Sequence, residues 1–248
     1  MKARTMEDGK PANKWRRRLL ITAGIASGAL AIGAWRFYRE RDKLSPPATL
    51  KAGGNEAILT GWIRIGTDGT ITVQVPRQEM GQGITTALPM LVAEEMDADL
   101  SRVRFEQAPI DPLYANATMI GDGVPMRPDD NGWLATVMRH TQYKLGEALG
   151  VQATGGSTSM RDGWITMRRA GAAAREMLVQ VAANRFGVPA AQCSVDCSVV
   201  EHKPSGRRAT FGELALEAAS VPVPQNAPLK NPERFTLLGK SQVRFDIP

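Results

Sequence analysis

Residues 62–96 read WIRIGTDGTITVQVPRQEMGQGITTALPMLVAEEM, and the change of period inside this stretch decides the fold. Trp62-Ile63-Arg64-Ile65 and Thr70-Ile71-Thr72-Val73-Gln74-Val75 alternate between apolar and polar, the period of a strand with one buried face. Gly66-Thr67-Asp68-Gly69 joins them, and an Asp-Gly pair between alternating runs signals a β-hairpin. After Val75 a glycine-rich turn opens onto a helical pattern expected over residues 86–96. Thr85 or Thr86 is the expected cap, and Pro89 is placed in the first turn, where its missing N–H costs little.

Outward from this unit, residues 103–107 read as a short strand and residues 109–131 as a long surface or partner-facing loop. Over residues 133–149, Leu134, Val137 or Met138, Thr141, Leu145 and Ala148 fall at helical spacing, with Gly146 the weakest point. Residues 151–154 read as a short strand breaking into a Gly/Ser loop. A helix is expected over residues 165–186, where Ala170, Ala173, Ala174, Met177, Leu178, Val181 and Ala182 form a stripe rich in alanine, implying close backbone packing. Residues 193–201 read as strand, 210–219 as a short helix and 221–232 as a proline-rich connector. The expected class is α+β, a mixed sheet with packed helices, preceded by an N-terminal membrane-anchor helix. The expected segments are a basic stretch 1–18, an anchor or signal core 19–35, a linker 36–56, a folded body 57–220 and a connector 221–248.

The chain has 248 residues, a net charge of +6, 43% hydrophobic and 23% charged residues, within the globular range. The basic excess gathers at the amino end, where Lys14, Arg16, Arg17 and Arg18 precede an apolar run and Arg36, Arg39 and Arg41 follow it, which suggests a membrane surface rather than nucleic acid. That run, LLITAGIASGALAIGAW, occupies 17 residues; as a helix it spans roughly 25 Å, near the lower limit for crossing a bilayer. Arg17-Arg18-Leu19-Leu20 resembles the twin-arginine export pattern. Trp35-Arg36-Phe37-Tyr38-Arg39 follows instead of a small-x-small cleavage site, which favours an uncleaved anchor over a cleaved signal or a buried soluble helix. The expected location is the bacterial inner membrane with the body in the periplasm.

With two cysteines, Cys193 and Cys197, the chain has neither a disulfide framework nor a paired Cys-x-x-Cys set for zinc or an iron–sulfur cluster, so a metal would arrive inside a cofactor. In an oxidising compartment the two thiols could pair if a turn intervenes, but on one strand they would lie too far apart. His140 and His202 lack a second histidine at ligand spacing and read as packing or surface residues. Two loops could carry chemistry. In Glu79-Met80-Gly81-Gln82-Gly83-Ile84-Thr85, glycines flank an amide at a strand-to-helix turn, where backbone N–H groups can approach a ligand closely and the helix end favours an anion. No Gly-Lys-Ser/Thr closes it and no Gly-x-Gly-x-x-Gly is present, which removes the usual nucleotide-site motifs. The second loop, Thr154 to Ser159, offers four hydroxyls and two glycines in six residues. A steric turn and a flexible linker are the plain alternatives.

EMGQG followed by TT-x-LPML-x-AEE, then GGSTS-x-RDGW and RRAGAAAREML, closely resemble the molybdopterin-binding subunit of the xanthine oxidase family, in its isoquinoline 1-oxidoreductase and membrane-bound aldehyde dehydrogenase branch. The resemblance runs over about residues 58–248, closes on Leu238-Gly239-Lys240-Ser241-x-x-Arg244-x-Asp246-x-Pro248, and implies an N-terminal portion of a chain roughly three times longer. It implies a molybdopterin cytosine dinucleotide carrying molybdenum, with Gly81, Gln82, Gly83, Thr85, Gly155, Gly156, Ser157, Thr158 and Ser159 as contacts. It further implies oxidation of aldehydes or N-heterocycles with water as oxygen source. The implied partners are the remainder of the molybdenum subunit, a small subunit holding iron–sulfur clusters, and a membrane cytochrome c. The family's glutamate base in a Gly-Glu-x-Gly context has no match: Gly212-Glu213-Leu214-Ala215 lacks the second glycine, so no catalytic residue is assigned. Glu94 and Glu95 read as helix-surface charges. The rival readings are a non-catalytic fragment and a membrane-anchored docking module for a separately encoded enzyme.

Overall fold

The computed structural model describes residues 42–127 and 129–247, together with Gly33. The expected anchor at 19–35 lies, apart from Gly33, outside the described residues; among these no helix is long and apolar enough to cross a membrane. The hairpin forms as its Asp-Gly turn predicts: β2 (Ile63–Gly66) pairs antiparallel with β3 (Ile71–Val75), and Asp68 accepts the Thr70 N–H at 2.9 Å to close the turn. β1 (Glu56–Thr60) extends the other edge of β2 antiparallel, and β4 (Val103–Gln107) lies parallel to β3. A parallel neighbour needs a crossover, and helix α1 (Ile84–Met96) supplies it. The result is a mixed sheet in the order β1-β2-β3-β4. Ile63, Ile65, Ile71, Val73, Val75 and Val103 are wholly buried. α1 packs on β3 and β4, while the long α4 (Ser159–Phe186) packs on β1, β2 and α1.

The alanine stripe of α4 does what its small volume implies: Ala170, Ala173 and Ala174 have no exposure. At Gly171 a Cβ would stand 2.8 Å from the Val92 carbonyl, so the two helices meet nearly backbone to backbone. α4 starts at Ser159, six residues before the expected 165, and the Gly/Ser loop therefore runs straight into it. Two shorter helices, α2 (Ala117–Gly121) and α3 (Trp133–Leu149), pack on each other. A second, antiparallel sheet joins β5 (Ser194–Asp196), β6 (Val199–His202) and β7 (Arg207–Thr210), and α5 (Phe211–Ala218) follows with the Thr210/Glu213 capping box.

Several expectations are corrected. α1 begins at Ile84 with Gly83 as its cap and no side-chain cap bond, so Pro89 lies in the second turn and the Thr85 carbonyl has no helical donor. The 193–201 stretch is a hairpin, because Cys197 and Ser198 both adopt the left-handed conformation (φ 47° and 64°) and turn the chain. That turn begins at Cys197, with β5 between the two cysteines; Cys197 and Cys193 are free thiols, and His202, read as packing or surface, is a packing residue, buried between Ser205 and Gln192. No strand forms over 151–154; Val151 only accepts the Asn116 N–H. Residues 42–55 include the buried Leu44 and Leu50, and Trp62 Nε1 donates to the Lys43 carbonyl. The stretch 109–131 is not all surface: Tyr114 is wholly buried, stacks edge-on against Trp62 at 5.0 Å and donates its hydroxyl to the Gly61 carbonyl at 2.6 Å.

Helix α3 spans the expected residues but turns the opposite face inward. Ala135, Lys144, Gly146 and Glu147 are buried, whereas Trp133, Leu134, Val137, Leu145 and Leu149 are exposed. Small residues let it approach α2, with a Gly146 Cβ position 3.0 Å from the Ala117 Cα, and Lys43 and Lys144 neutralise Glu147 at 2.6 and 3.0 Å.

Glu94 and Glu95 are fully buried, contrary to the surface reading. One Glu94 oxygen accepts the N–H groups of Thr236, Leu237 and Leu238 at 2.9, 2.7 and 3.0 Å, and the other takes the Lys230 ammonium at 2.8 Å. Glu95 binds Arg168 at 2.6 Å and the Lys230 N–H at 2.8 Å. Buried carboxylates are tolerated where every lone pair is occupied; here they fasten the connector to α1.

Candidate functional site

The strand-to-helix turn after β3 and the Gly/Ser loop before α4 meet across one open cleft of about 460 Å³. Met80, Gln82, Ile84 and Ala87 line one side; Thr154, Gly155, Gly156, Ser157, Ser159 and Met160 line the other. The loops are stitched together where the Gln78 N–H donates to Thr154 Oγ1 at 2.9 Å. None of these lining residues carries a charge, so an anion there would be held by N–H and hydroxyl groups.

Beneath the cleft a buried polar layer sets both loops. Arg77, 2% exposed, donates to the Pro76, Tyr114 and Ala115 carbonyls and to Asp162 at 2.7 Å. Burial pushes the Arg77 guanidinium below its ordinary pKa, and the Asp162 carboxylate opposes that shift. Asp162 also accepts the Thr118 N–H and hydroxyl, tying α4 to α2. Asn116, 1% exposed, donates to the Ala153 carbonyl and to Thr158 Oγ1, whose hydroxyl in turn donates to the Gly155 carbonyl at 2.8 Å. Both ends of the second loop are thereby pinned from below.

The expected site residues divide by role. Gln82, Gly155, Gly156, Ser157 and Ser159 line the cleft. Thr158 is buried and serves as the loop's internal tie. Thr85 is buried, and its N–H and hydroxyl both go to Glu79, at 3.1 and 2.9 Å. Gly81 and Gly83 shape the turn with φ of 99° and 77°, values that side chains rarely adopt. Their N–H groups do not stand free for an anion: both donate to Glu79, at 2.9 and 2.8 Å. The Glu79 carboxylate therefore occupies the amino end of α1. Burial works against its charge, yet the N–H groups of Gly83, Thr85 and Gly81 and the Thr85 hydroxyl hold the Glu79 pKa down to about 2. A second anion at that helix end would meet a fixed negative charge. Gln82 folds over the turn, accepting the Met80 N–H at 2.6 Å and donating to the Gln78 carbonyl at 2.9 Å.

The second loop has the donors the first has spent. Among the described residues, the N–H groups of Gly155, Gly156 and Ser157 and the hydroxyls of Ser157 and Ser159 have no protein partner. Gly156 and Ser157 are consecutive left-handed residues (φ 60° and 54°), and for serine this conformation is strained, a feature that clusters at ligand sites. Gly155 carries no positive φ, and a Cβ there would meet only Met119 Sδ, at 3.8 Å. Neither conformation nor internal packing demands glycine at 155; an outside group approaching the backbone would. Donors of this kind suit the phosphates and polar edge of a nucleotide-like cofactor. Sequence reasoning did not single out Ile84, Ala87 or Met160, because apolar residues on a helix read as core, nor Met80, which stands exposed in the turn before α1. It also missed the tying roles of Arg77, Asn116 and Asp162, whose pairings span long sequence separations, and that of Glu79, whose partners are backbone N–H groups two to six residues on.

Residues 12–118 match the molybdopterin cofactor-binding domain family, a stretch that contains the 79–83 turn and ends before the second loop. The beta subunit of isoquinoline 1-oxidoreductase from Brevundimonas diminuta is 36% identical over 214 residues, 86% of this chain and 23% of that protein. The membrane-bound aldehyde dehydrogenase [pyrroloquinoline-quinone] of Gluconacetobacter polyoxogenes is 31% identical over 195 residues, 76% of this chain and 20% of its own. A nicotinate dehydrogenase subunit from Pseudomonas putida is 27% identical over 213 residues, covering 84% and 15%. The chain thus spans less than a quarter of the length of the curated relatives it matches. By its cofactor-domain match and these relatives, the chain belongs to the molybdopterin-binding subunits of the xanthine oxidase family.

Proposed function

We propose that this chain supplies part of the cradle for a molybdopterin cytosine dinucleotide in a molybdenum hydroxylase. The carrying observation is the convergence of the two glycine loops on one uncharged cleft with unspent donors on its 155–159 side. The bound cofactor would contribute the molybdenum centre at which an aldehyde or an electron-poor ring carbon is oxidised with water as oxygen source. This chain's own residues bind and orient. The Gly155–Ser157 N–H groups and the Ser157 and Ser159 hydroxyls hold the phosphates. The Gln82 side takes the uncharged pterin, because the Glu79 carboxylate repels a phosphate from the amino end of α1. Met80, Ile84, Ala87 and Met160 present an apolar wall that excludes water from the cofactor's flank.

The base belongs to the remainder of the molybdenum subunit. Glu213, in the nearest sequence likeness to its motif, is committed to capping α5. Electrons pass to iron–sulfur clusters in a small partner subunit and then to a membrane cytochrome c. An uncleaved anchor at 19–35, with the body facing the periplasm, completes the arrangement; it rests on the apolar run and the twin-arginine-like Arg17-Arg18.

The test is molybdenum and pterin content of the protein purified from its own host in the assembly it forms there. Gln82→Ala and Ser157→Ala should each lower both several-fold at unchanged thermal stability. Full retention in both variants would reduce the loops to structural turns.

A further inference from the structure

The Arg244-x-Asp246 pair of the closing motif lies against the first loop, although 163 positions separate Arg244 from Gly81. Arg244 Nη1 donates to the Gly81 carbonyl at 3.0 Å, and Nη2 reaches Glu79 at 3.3 Å. Asp246 grips the same guanidinium in a two-point pair, accepting from Nε at 3.1 Å and Nη2 at 2.6 Å. A guanidinium fixed this way presents its remaining donors in a set plane. The neighbouring Phe245 N–H donates to Thr86 Oγ1 at 2.8 Å, which seats the segment on the first turn of α1.

Gly81 is consequently held from both sides. Its N–H enters the Glu79 carboxylate and its C=O meets Arg244, while Glu79 and Arg244 contact each other. The two residues flanking this Gly81 are Met80 and Gln82, both on the cleft wall. Free rotation of the glycine peptides would let that wall rearrange; the opposed bonds stop it.

We propose that Glu79 and Arg244, the latter aimed by Asp246, form a latch that fixes the 79–83 turn and makes Arg244 a positioning residue for the cofactor loop. The proposal rests on the reading that this turn faces the cofactor. It makes the order of the loop depend on the 243–246 segment, so that the loop becomes rigid only once that distant segment has docked.

The experiment compares the full chain with Arg244→Ala, Arg244→Lys, Glu79→Gln and the double variant Glu79→Gln/Arg244→Ala. Amide hydrogen exchange over residues 78–86, melting temperature, and molybdenum per chain of protein purified from the host are read together. Arg244→Ala should accelerate exchange of the Gly81 and Gly83 amides about tenfold, the size expected for losing charge-assisted bonds. The melting temperature should stay put, and molybdenum should fall several-fold. Lysine, which can reach only one of the partners at a time, should restore part of both. The double variant should exchange no faster than Glu79→Gln alone, because the two residues act as one unit. Unchanged exchange in Arg244→Ala, or effects that multiply in the double variant, would overturn the latch. Molybdenum retained in Arg244→Ala but lost in Gln82→Ala would also overturn its positioning role. Molybdenum retained in both would instead defeat the cofactor reading, with exchange still deciding the latch.

Discussion

Replacing Glu94 should detach the connector from the body, and the structure sets the size of the effect. The wholly buried Glu94 gives one oxygen to three backbone N–H groups, those of Thr236, Leu237 and Leu238, and the other to the Lys230 ammonium. Glu94→Ala removes every acceptor at once. Breaking a buried ion pair and stranding its donors costs about 3–5 kcal/mol, partly recovered if the connector peels into water. For a body of this size that is roughly 6–20 °C in melting temperature. Glu94→Gln is gentler: its oxygen can still serve the three N–H groups, and Lys230 keeps Asp97 at 2.6 Å, so about 2 kcal/mol is expected. The pH dependence gives an independent reading. Burial pushes the Glu94 pKa up, but Lys230 and the N–H groups of Leu237, Leu238 and Thr236 outweigh it and hold the pKa at about 2, against an ordinary 4.5. A depressed carboxyl pKa stabilises the fold above the unfolded value and loses that contribution as pH falls from about 4.5 toward 2, here on the order of 3 kcal/mol. Urea unfolding of the wild type and both variants at pH 7 and pH 3 measures it. Wild type should give up about 2 kcal/mol of its advantage over Glu94→Ala at pH 3, the remainder going only as the pH nears 2. Variants within about 0.5 kcal/mol of wild type at pH 7, or an advantage unchanged at pH 3, would refute the buried clamp.

Gly212→Ala would set a Cβ 2.6 Å from the Thr67 carbonyl and 2.8 Å from the Gly69 nitrogen, backbone that cannot yield cheaply, and should destabilise by about 2–3 kcal/mol in thermal melts. Tyr114→Phe keeps the contact with Trp62 but leaves the Gly61 carbonyl without its donor, a loss of about 1–2 kcal/mol by urea unfolding. Burial raises the pKa of the Cys193 thiol, and Cys197 is the exposed one of the pair, so iodoacetamide at pH 8 should label Cys197 first by mass spectrometry of the digested protein.

Local signals carried much of the fold because they act within a few residues. The Asp68-Gly69 turn, the alternation around it and the short strand at 103–107 appear where their patterns placed them. Misreadings arose where a distant partner overrode local character. Glu94 and Glu95 look like solvent charges until Lys230 and the 236–238 backbone are brought against them. The stripe on α3 has core-like spacing, yet Ala135 and Gly146 offer the closer approach to α2 and the Lys43–Glu147 pair settles which face turns in. The Cys197-Ser198 turn has neither glycine nor asparagine to announce it. Both loops of the candidate site were legible as glycine-rich turns before helices. The Glu79 carboxylate was not legible as the occupant of the α1 amino end, since spacing alone does not reveal which N–H groups are already taken.

The central claim is that the cleft between residues 79–83 and 154–159 receives the molybdenum cofactor, and Gly155 tests it most directly. It lines the cleft, a Cβ there would touch nothing nearer than Met119 Sδ at 3.8 Å, its conformation admits other residues, and no bond of its own side chain can be lost. Molybdenum and pterin should therefore be measured per chain in wild type and Gly155→Val purified from the host, alongside the melting temperature. The account predicts an unchanged melting temperature with cofactor content reduced about tenfold or more, the consequence of a side chain filling the approach to the backbone donors. Full cofactor content in the valine variant would contradict it.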